Sequence, residues 1–130
     1  MAVSVDVPGL GHGSNPIPSA SRRGPLLATG GVHGIDRATG RPPESLGVEV
    51  RNTFDNLGAI IVAAGGEWAD VVHMTVHLAE GSTRSLVNAA WERQFPDPAA
   101  RPARHVVTRA LPGGLAIQIE ATAYIAGAPS

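Results

Sequence analysis

Apolar residues recur at helical spacing between about residues 45 and 64. The apolar positions are four, three, four and three residues apart, at Val50, Phe54, Leu57, Ile61 and Ala64. This spacing places them on one face of an α-helix that is about 30 Å long. Gly65 and Gly66 follow directly and predict the end of the helix. The first helix is therefore predicted to be amphipathic, with its apolar face packed against another element.

The hydrophobic period changes to two at residues 71–78, which predicts a strand. One face of this strand is apolar, and the other face carries His73, Thr75 and His77. A second helix is predicted from about residue 83 to residue 95, with Ser82 as its N-cap. The apolar side of this helix consists of Val87, Ala90, Trp91 and Phe95.

Further strands are predicted before the first helix and after the second. Residues 25–30 form a short apolar run that ends in two glycines, which is typical of a buried strand. Residues 104–111 and 115–125 predict two final strands, joined as a hairpin through Pro112, Gly113 and Gly114. Residues 9–18 are rich in Gly, Ser, Asn and Pro, and they are predicted to be irregular.

This order of elements predicts an α+β fold, a mixed β-sheet with two helices packed on one face. The length of 130 residues predicts one domain over residues 15–126, a flexible N-terminal arm over 1–14 and a tail over 127–130. The second face of the sheet is too mixed for a core and too apolar for free solvation, so we expect a subunit interface there. Its residues are His73, Thr75, His77, Gln118, Glu120 and Thr122.

Composition narrows the possible chemistry. All ten basic residues are arginine, and the chain contains neither lysine nor cysteine. These counts exclude disulfides, thiolate nucleophiles, cysteine-ligated metals, lysine Schiff bases and the P-loop. The net charge of -1 and the pI of about 6.5 argue against a nucleic-acid partner.

Targeting signals are not apparent in the sequence. The first eight residues lack a basic region, and glycines at positions 9, 11 and 13 interrupt any apolar stretch. No apolar run approaches the ~18 to 20 residues that span a bilayer. We therefore expect a soluble, cytoplasmic protein with no membrane partner.

Two motifs that resemble ligand sites have simpler interpretations. The glycines of residues 9–13 resemble a nucleotide-binding loop, but the following Asn15 and three-residue segment 16–18 cannot open a regular helix. His73 and His77 lie about 13 Å apart on a strand, too far to share one metal ion. No metal site is therefore predicted.

Arg104 and Glu120 are the main candidates for chemistry. Arg104 follows a stiff proline-containing segment and opens an apolar strand, where its planar fork can bind a carboxylate. Glu120 interrupts an apolar strand, and burying such a charge is costly without a partner. From composition alone, a solvated or structural role is favoured for Arg104, and a structural ion pair explains Glu120 equally well. Because their strands are consecutive, the two side chains are expected to be able to pair and to hold a carboxylate substrate beside a water-activating group.

Several segments, in order along residues 15–125, resemble the RidA/YjgF family of enamine/imine deaminases. The C-terminal signature consists of residues 101–104 (RPAR), 111–114 (LPGG) and 117–123 (IQIEATA). Upstream segments with the same resemblance are residues 27–31, 36–40, 56–65, 70–78 and 87–95. The resemblance implies a chorismate-mutase-like α+β fold, assembled as a homotrimeric barrel with active sites between subunits.

The resemblance also implies an activity and its residues. The family hydrolyses reactive 2-amino-unsaturated acids to 2-keto acids and ammonia, without a metal or organic cofactor. Arg104 would hold the carboxylate of the small-molecule substrate, and Glu120 would position the attacking water. The other implied substrate-binding residues are Ile17, Thr29, Gly30, Asn88, His105 and Val106.

Two positions depart from the family pattern. Ile17 stands where relatives commonly have a pocket tyrosine, and Val106 stands where they commonly have a cysteine. The change at Ile17 leaves open a specialised pathway hydrolase with a larger enamine substrate. A non-catalytic binding or chaperone-like protein on the same fold is the other alternative.

Overall fold

A computed structural model describes residues 1–127, apart from the side chain of Ser82. The two helices are α1, Leu46–Ala63, and α2, Arg84–Gln94. The seven strands are β1 Val3–Val5, β2 Ala20–Arg23, β3 Leu26–Thr29, β4 Val32–His33, β5 Val71–Leu78, β6 Ala103–Thr108 and β7 Ile117–Tyr124. Short 3-10 turns precede β5, α2, β6 and β7.

All the strands belong to one mixed sheet. Its order is β1-β2-β3-β7-β5-β6, and the short β4 also pairs with β7. Only β5 and β6 are parallel, whereas the other pairs are antiparallel. Both helices pack on one face of this sheet, which confirms the predicted α+β class.

The core lies between the sheet and α1. Alternate residues of β5 and β7 point toward the helix, and they are buried together with its apolar stripe. Each fully buried Leu or Ile side chain contributes about 1.5–3 kcal/mol. The central residues of this core are Met74, Val76, Leu78, Ile117, Ile119, Leu57, Ile60 and Ile61.

The strongly periodic elements form where the sequence predicts them. The hydroxyl of Ser45 caps α1 by accepting from the Val48 N–H, and Gly65 follows the helix with a φ of 87°. The bounds of β5 agree residue for residue. Helix α2 is shorter than predicted, and Thr83 rather than Ser82 occupies its N-cap position.

The predicted C-terminal hairpin is wrong. Strand β5 lies between β6 and β7, so the two final strands do not pair. The connection instead crosses the end of β5, where Arg109 N–H donates to Leu78 O and Ala79 N–H donates to Ala116 O. The Pro-Gly-Gly turn signal described the local bend correctly but not the strands that it joins.

The assignment of residues 1–14 to a flexible arm is also wrong for residues 3–10. Strand β1 pairs with β2, and Val5, Val7 and Leu10 are buried in the core. Residues 7–18 form no strand or helix, as the composition predicted for 9–18. Of the predicted tail, residues 128–130 lie outside the described residues.

Strand β2 was missed because three of its four residues are polar. The buried Arg22 explains how such a strand is tolerated. Its guanidinium donates to the carbonyl oxygens of Gly24, Ala64, Ile125 and Gly127. Three of these acceptors, Ala64, Ile125 and Gly127, are at least 42 residues away in the chain, so no local pattern predicts the contacts.

Candidate active site

Arg104 lies on β6, the last strand of the sheet, and points to the helix-bearing face. Its residue partner in the neighbouring strand is Met74, which is fully buried on that face. One guanidinium nitrogen, Nη2, donates to Asn88 Oδ1 of α2 at 2.7 Å. The guanidinium carbon also lies 4.9 Å from the centre of the Trp91 ring, within cation–π distance. Two residues of α2, one helical turn apart, thus fix the orientation of this arginine.

The second terminal nitrogen of Arg104 is left without a partner. Its Nη1 atom is buried and makes no hydrogen bond within residues 1–127. Burial, and after it the charge of Arg84, lowers the pKa of Arg104 below its ordinary value. A buried, unpaired donor of a charged group is costly, so the site favours an anion at this position.

Glu120 lies on the opposite face of the sheet. In the ladder, Thr75 is the partner of both Glu120 on β7 and His105 on β6, so these three residues share a face. The Glu120 side chain is 50% exposed, and its Oε1 lies 2.8 Å from His77 Nε2. Within the described chain this is the only contact of ion-pair geometry.

The expected pairing of Arg104 with Glu120 within one chain is therefore wrong. Strand β5 separates their strands, and the two side chains point to opposite faces. Strands that are consecutive in sequence need not be neighbours in a sheet. A site that uses both groups must take them from two copies of the chain.

The remaining candidates are distributed over both faces and both edges. Asn88 contacts Arg104, and Val106 lies two residues along the same face of β6. His105 is exposed on the other face. Ile17 is 54% exposed and lines a surface depression with Ser4, beside β1 at the far edge of the sheet from Arg104.

Thr29 and Gly30 mark the junction between β3 and β4. The Thr29 hydroxyl donates to Gly30 O at 2.8 Å and accepts from Ala121 N–H at 2.9 Å. The hydroxyl thereby supplies an acceptor for a backbone N–H of β7 at the point where β3 stops pairing with that strand. The Gly30 N–H donates to Ser19 O, which ties this junction to the segment that carries Ile17.

Three residues of the site were missed by the sequence reasoning. Trp91 was assigned only to the apolar side of α2, although it lies three residues after Asn88 and therefore shares its face. His77 contacts Glu120 through one ring nitrogen and Arg109 through the other. The alternation of β5 placed His77 on the polar face, but no signal in the sequence identified its partners.

A second group of polar residues lies beneath α1 and has a structural role. The buried carboxylate of Glu49 accepts from the N–H groups of Ala116 and Ile117 at 2.7 and 3.1 Å, which fixes the start of β7. Asn56 donates to the carbonyl oxygens of His33 and Ile35. Burial, followed by the nearby His12, lowers the pKa of His33.

Residues 1–127 contain no cluster of three or more His, Cys, Asp or Glu side chains that could bind a metal ion. Among the helices of the same range, none is long and apolar enough to cross a membrane.

The sequence is similar to a known family and to characterised relatives. A family model described as Endoribonuclease L-PSP matches residues 14–125. The 2-iminobutanoate/2-iminopropanoate deaminase of Escherichia coli K12 is 35% identical over 102 residues, which cover 77% of this chain and 80% of that protein. The Bos taurus protein of the same name is 35% identical over 94 residues, which cover 72% of this chain and 68% of its own.

Solved structures agree with these sequence matches. The crystal structure of the YjgF gene product from E. coli is 30% identical, with a TM-score of 0.84, and covers 94% of this chain and 98% of that one. RidA from Psychrobacter sp. PAMC 21119 is 28% identical, with a TM-score of 0.86, and covers 95% of this chain and 99% of its own. The chain therefore belongs to the RidA/YjgF family.

Proposed function

We propose that the protein hydrolyses small 2-imino acids and their enamine tautomers to 2-keto acids and ammonia. The observation that carries this proposal is the Arg104 guanidinium, which Asn88 and Trp91 hold in place with its Nη1 atom unpaired. The names of the E. coli and bovine relatives, 2-iminobutanoate/2-iminopropanoate deaminases, support the same chemistry.

Arg104 binds the carboxylate of the substrate in this proposal. A guanidinium offers two parallel N–H groups that match a carboxylate, and a charge-assisted pair is about twice as strong as a neutral hydrogen bond. Asn88 accepts from one Nη2 hydrogen, and the buried Nη1 atom is left without a partner for the carboxylate to satisfy. Because β6 is the last strand of the sheet, the backbone near His105 and Val106 has an outer edge that is not paired within residues 1–127.

Glu120 activates the water. The water oxygen bonds to the imine carbon as one of its protons passes to the carboxylate and the C=N electron pair moves to nitrogen. The carboxylate then gives that proton to the nitrogen and is free to act again. The hydroxyl proton of this adduct reaches nitrogen through the same carboxylate, and the C–N bond breaks as the carbonyl forms. One water is consumed and one ammonia is released, so a held substrate and one proton-transfer group suffice.

The complete site lies between copies of the chain, in a homotrimer whose sheets face one another. The opposite orientations of Arg104 and Glu120 support this arrangement. The face of the sheet away from the helices, here the open face, carries exposed Leu26 and Tyr124 beside its polar residues. This composition is typical of a surface that another subunit covers. Ile17, Thr29 and Gly30 then approach Arg104 from a neighbouring subunit, because in their own chain Ile17 and Arg104 lie at opposite edges of the sheet.

The decisive experiment measures ammonia release from 2-aminoacrylate or 2-aminocrotonate generated in situ. Wild type is expected to exceed the uncatalysed rate, and Arg104→Ala is expected to approach that rate. Arg93→Ala is the matched control, because it removes an exposed arginine from α2, the helix that also carries Asn88 and Trp91. This variant is expected to retain wild-type activity. An inactive wild type, or an Arg104→Ala variant with full activity, would overturn the proposal.

A larger imine is the second candidate substrate, and the side chain at position 17 favours it. Ile17 presents an exposed apolar surface, where the family resemblance leads one to expect a tyrosine. An apolar pocket wall discriminates by about 1–3 kcal/mol per methylene. The comparison is kcat/KM for 2-iminopropanoate against an imine with a branched side chain, in wild type and Ile17→Tyr. A preference of wild type for the smaller imine would exclude this candidate.

A further inference from the structure

A chain of hydrogen bonds on the open face of the sheet ends at Glu120. Arg109 Nε lies 3.1 Å from His77 Nδ1, and His77 Nε2 lies 2.8 Å from Glu120 Oε1. Arg109 is itself held by Ala110 O at 3.2 Å and Gln118 Oε1 at 3.5 Å. The imidazole of His77 thus connects an arginine with the carboxylate that is proposed to activate water.

The two partners of His77 assign its tautomer. A guanidinium has five N–H donors and no acceptor, so His77 Nδ1 must accept from Arg109 with its lone pair. The ring proton then resides on Nε2 and is donated to Glu120 Oε1. A second proton on Nδ1 would set two donors and two positive charges against each other. Arg109 therefore selects the tautomer in which Nε2 carries the ring proton and donates it to Glu120.

The sheet holds these three groups in register. His77 on β5 is the ladder partner of Gln118 on β7, and Glu120 follows Gln118 on the same face. Arg109 comes directly after β6, where its backbone N–H bonds to Leu78 O. Two of the three hydrogen-bonded residues therefore lie on strands of the central sheet, and the third directly follows a strand. Their geometry does not depend on a free loop.

His77 and Glu120 differ in how far their side chains are buried. The side chain of His77 is only 13% exposed, whereas that of Glu120 is 50% exposed. The imidazole binds Oε1, and Oε2 makes no hydrogen bond to any residue in the described part of the chain. One oxygen of the carboxylate is fixed, and the other is left to orient a water molecule.

We propose that His77 is a positioning residue for Glu120, and that Arg109 acts through His77 by fixing its tautomer. This inference rests on the proposed function, because it assigns Glu120 the role of holding the attacking water. Loss of the His77 contact lets the carboxylate rotate, and misplacement of a catalytic group by about 1 Å can lower the rate about 100-fold. The effect falls on kcat more than on KM, because His77 does not touch the substrate.

The first test is spectroscopic and does not require activity. In protein labelled with ¹⁵N-histidine, long-range ¹H–¹⁵N correlations at neutral pH are expected to show His77 with a protonated Nε2 and an unprotonated Nδ1. Arg109→Leu is expected to produce a mixture of tautomers. A His77 ring protonated on Nδ1 in wild type, or an unchanged spectrum in Arg109→Leu, would overturn the assignment.

The second test is kinetic and uses a conservative rescue. His77→Leu is expected to lower kcat between about 10- and 100-fold with a small change in KM, whereas His77→Gln, whose amide can still donate to Glu120, is expected to recover most of the loss. Arg93→Ala, an exposed position on α2 away from this sheet face, is the control and is expected to retain wild-type kcat. Equal losses in His77→Gln and His77→Leu would contradict the positioning role. An inactive wild type would instead overturn the proposed function, and the spectrum would remain a separate result.

Discussion

The two faces of the central sheet are built from alternate residues of the same strands, yet they differ in chemistry. On β5 and β7, one set of side chains packs under α1 as an apolar core, and the intervening set carries histidine, threonine, glutamine and glutamate. The core face secures the fold, and the open face carries the hydrogen-bonded groups around Glu120. One strand can therefore serve stability and chemistry at once, because its side chains alternate between the two faces.

Arg104 makes this division instructive, since it is a charged residue on the core face. Its position at the edge strand lets the guanidinium rest on Trp91 while part of it remains accessible. The proposed site thus combines an anchor from the core face of one copy with a carboxylate from the open face of another.

Truncation of the core face is expected to have the largest effect on stability. Ile119→Ala removes a fully buried side chain beneath α1 and is expected to lower the free energy of unfolding by about 2–5 kcal/mol. Thr122→Ala on the open face of the same strand is expected to cost less than about 1 kcal/mol. Urea denaturation at one fixed protein concentration measures both. Equal decreases in the free energy of unfolding for the two variants would mean that both faces of the sheet contribute equally to stability.

The two carboxylates Glu49 and Glu120 are expected to behave oppositely. Glu49 is 4% exposed, and Glu49→Ala leaves two backbone N–H groups without their acceptor, at a cost of about 1–3 kcal/mol. Glu120→Ala is expected to keep near-wild-type stability and to lose deaminase activity. Paired measurements of unfolding and ammonia release separate the two outcomes. A stable but inactive Glu49→Ala variant would contradict the structural role of Glu49.

Asn88 is expected to act through Arg104. Asn88→Ala removes the acceptor that orients Nη2, so kcat/KM for the imine is expected to fall about 10-fold, equivalent to one hydrogen bond to a charged group. Asn88→Asp keeps an acceptor at this position and is expected to lose less than Asn88→Ala. Steady-state ammonia release measures both variants, and equal activity of Asn88→Ala and wild type would remove Asn88 from the site.

The smallest expected effect is a pH dependence of stability from His33. Because burial lowers its pKa, the unfolded chain binds a proton more readily, and stability is lost as the pH falls below about 6.5 toward the folded value. One such group gives a slope of at most about 1.4 kcal/mol per pH unit. The melting temperature of wild type is expected to drop more than that of His33→Gln between pH 7.5 and 5.5. An equal drop in melting temperature for wild type and His33→Gln would contradict this contribution of His33.

The sequence predicted the elements whose periodicity is long and regular. Helix α1 and strand β5 form over the predicted ranges, because their apolar spacing and caps agree with the core that they enter. The family resemblance was confirmed by the comparisons. The N-terminal strands were missed because β2 depends on Arg22, whose carbonyl acceptors are up to 105 residues away in the chain.

The candidate site was predictable by residue but not by arrangement. The alternation of β7 identifies Glu120 as a polar position, but only the sheet order reveals that β5 separates it from Arg104. The contact between His77 and Arg109 likewise joins residues 32 positions apart and has no local signature. Positions that depend on which strands become neighbours cannot be inferred from local spacing alone.

Mixing of two inactive variants tests the central claim, that Arg104 and Glu120 act together across a subunit boundary. Arg104→Ala and Glu120→Ala are unfolded and refolded together, and ammonia release is compared with that of each variant alone. Random assembly in a ring places an intact Arg104 opposite an intact Glu120 at roughly a quarter of the interfaces, so roughly a quarter of wild-type activity is expected to return. A mixture that assembles but stays as inactive as its components would contradict the account.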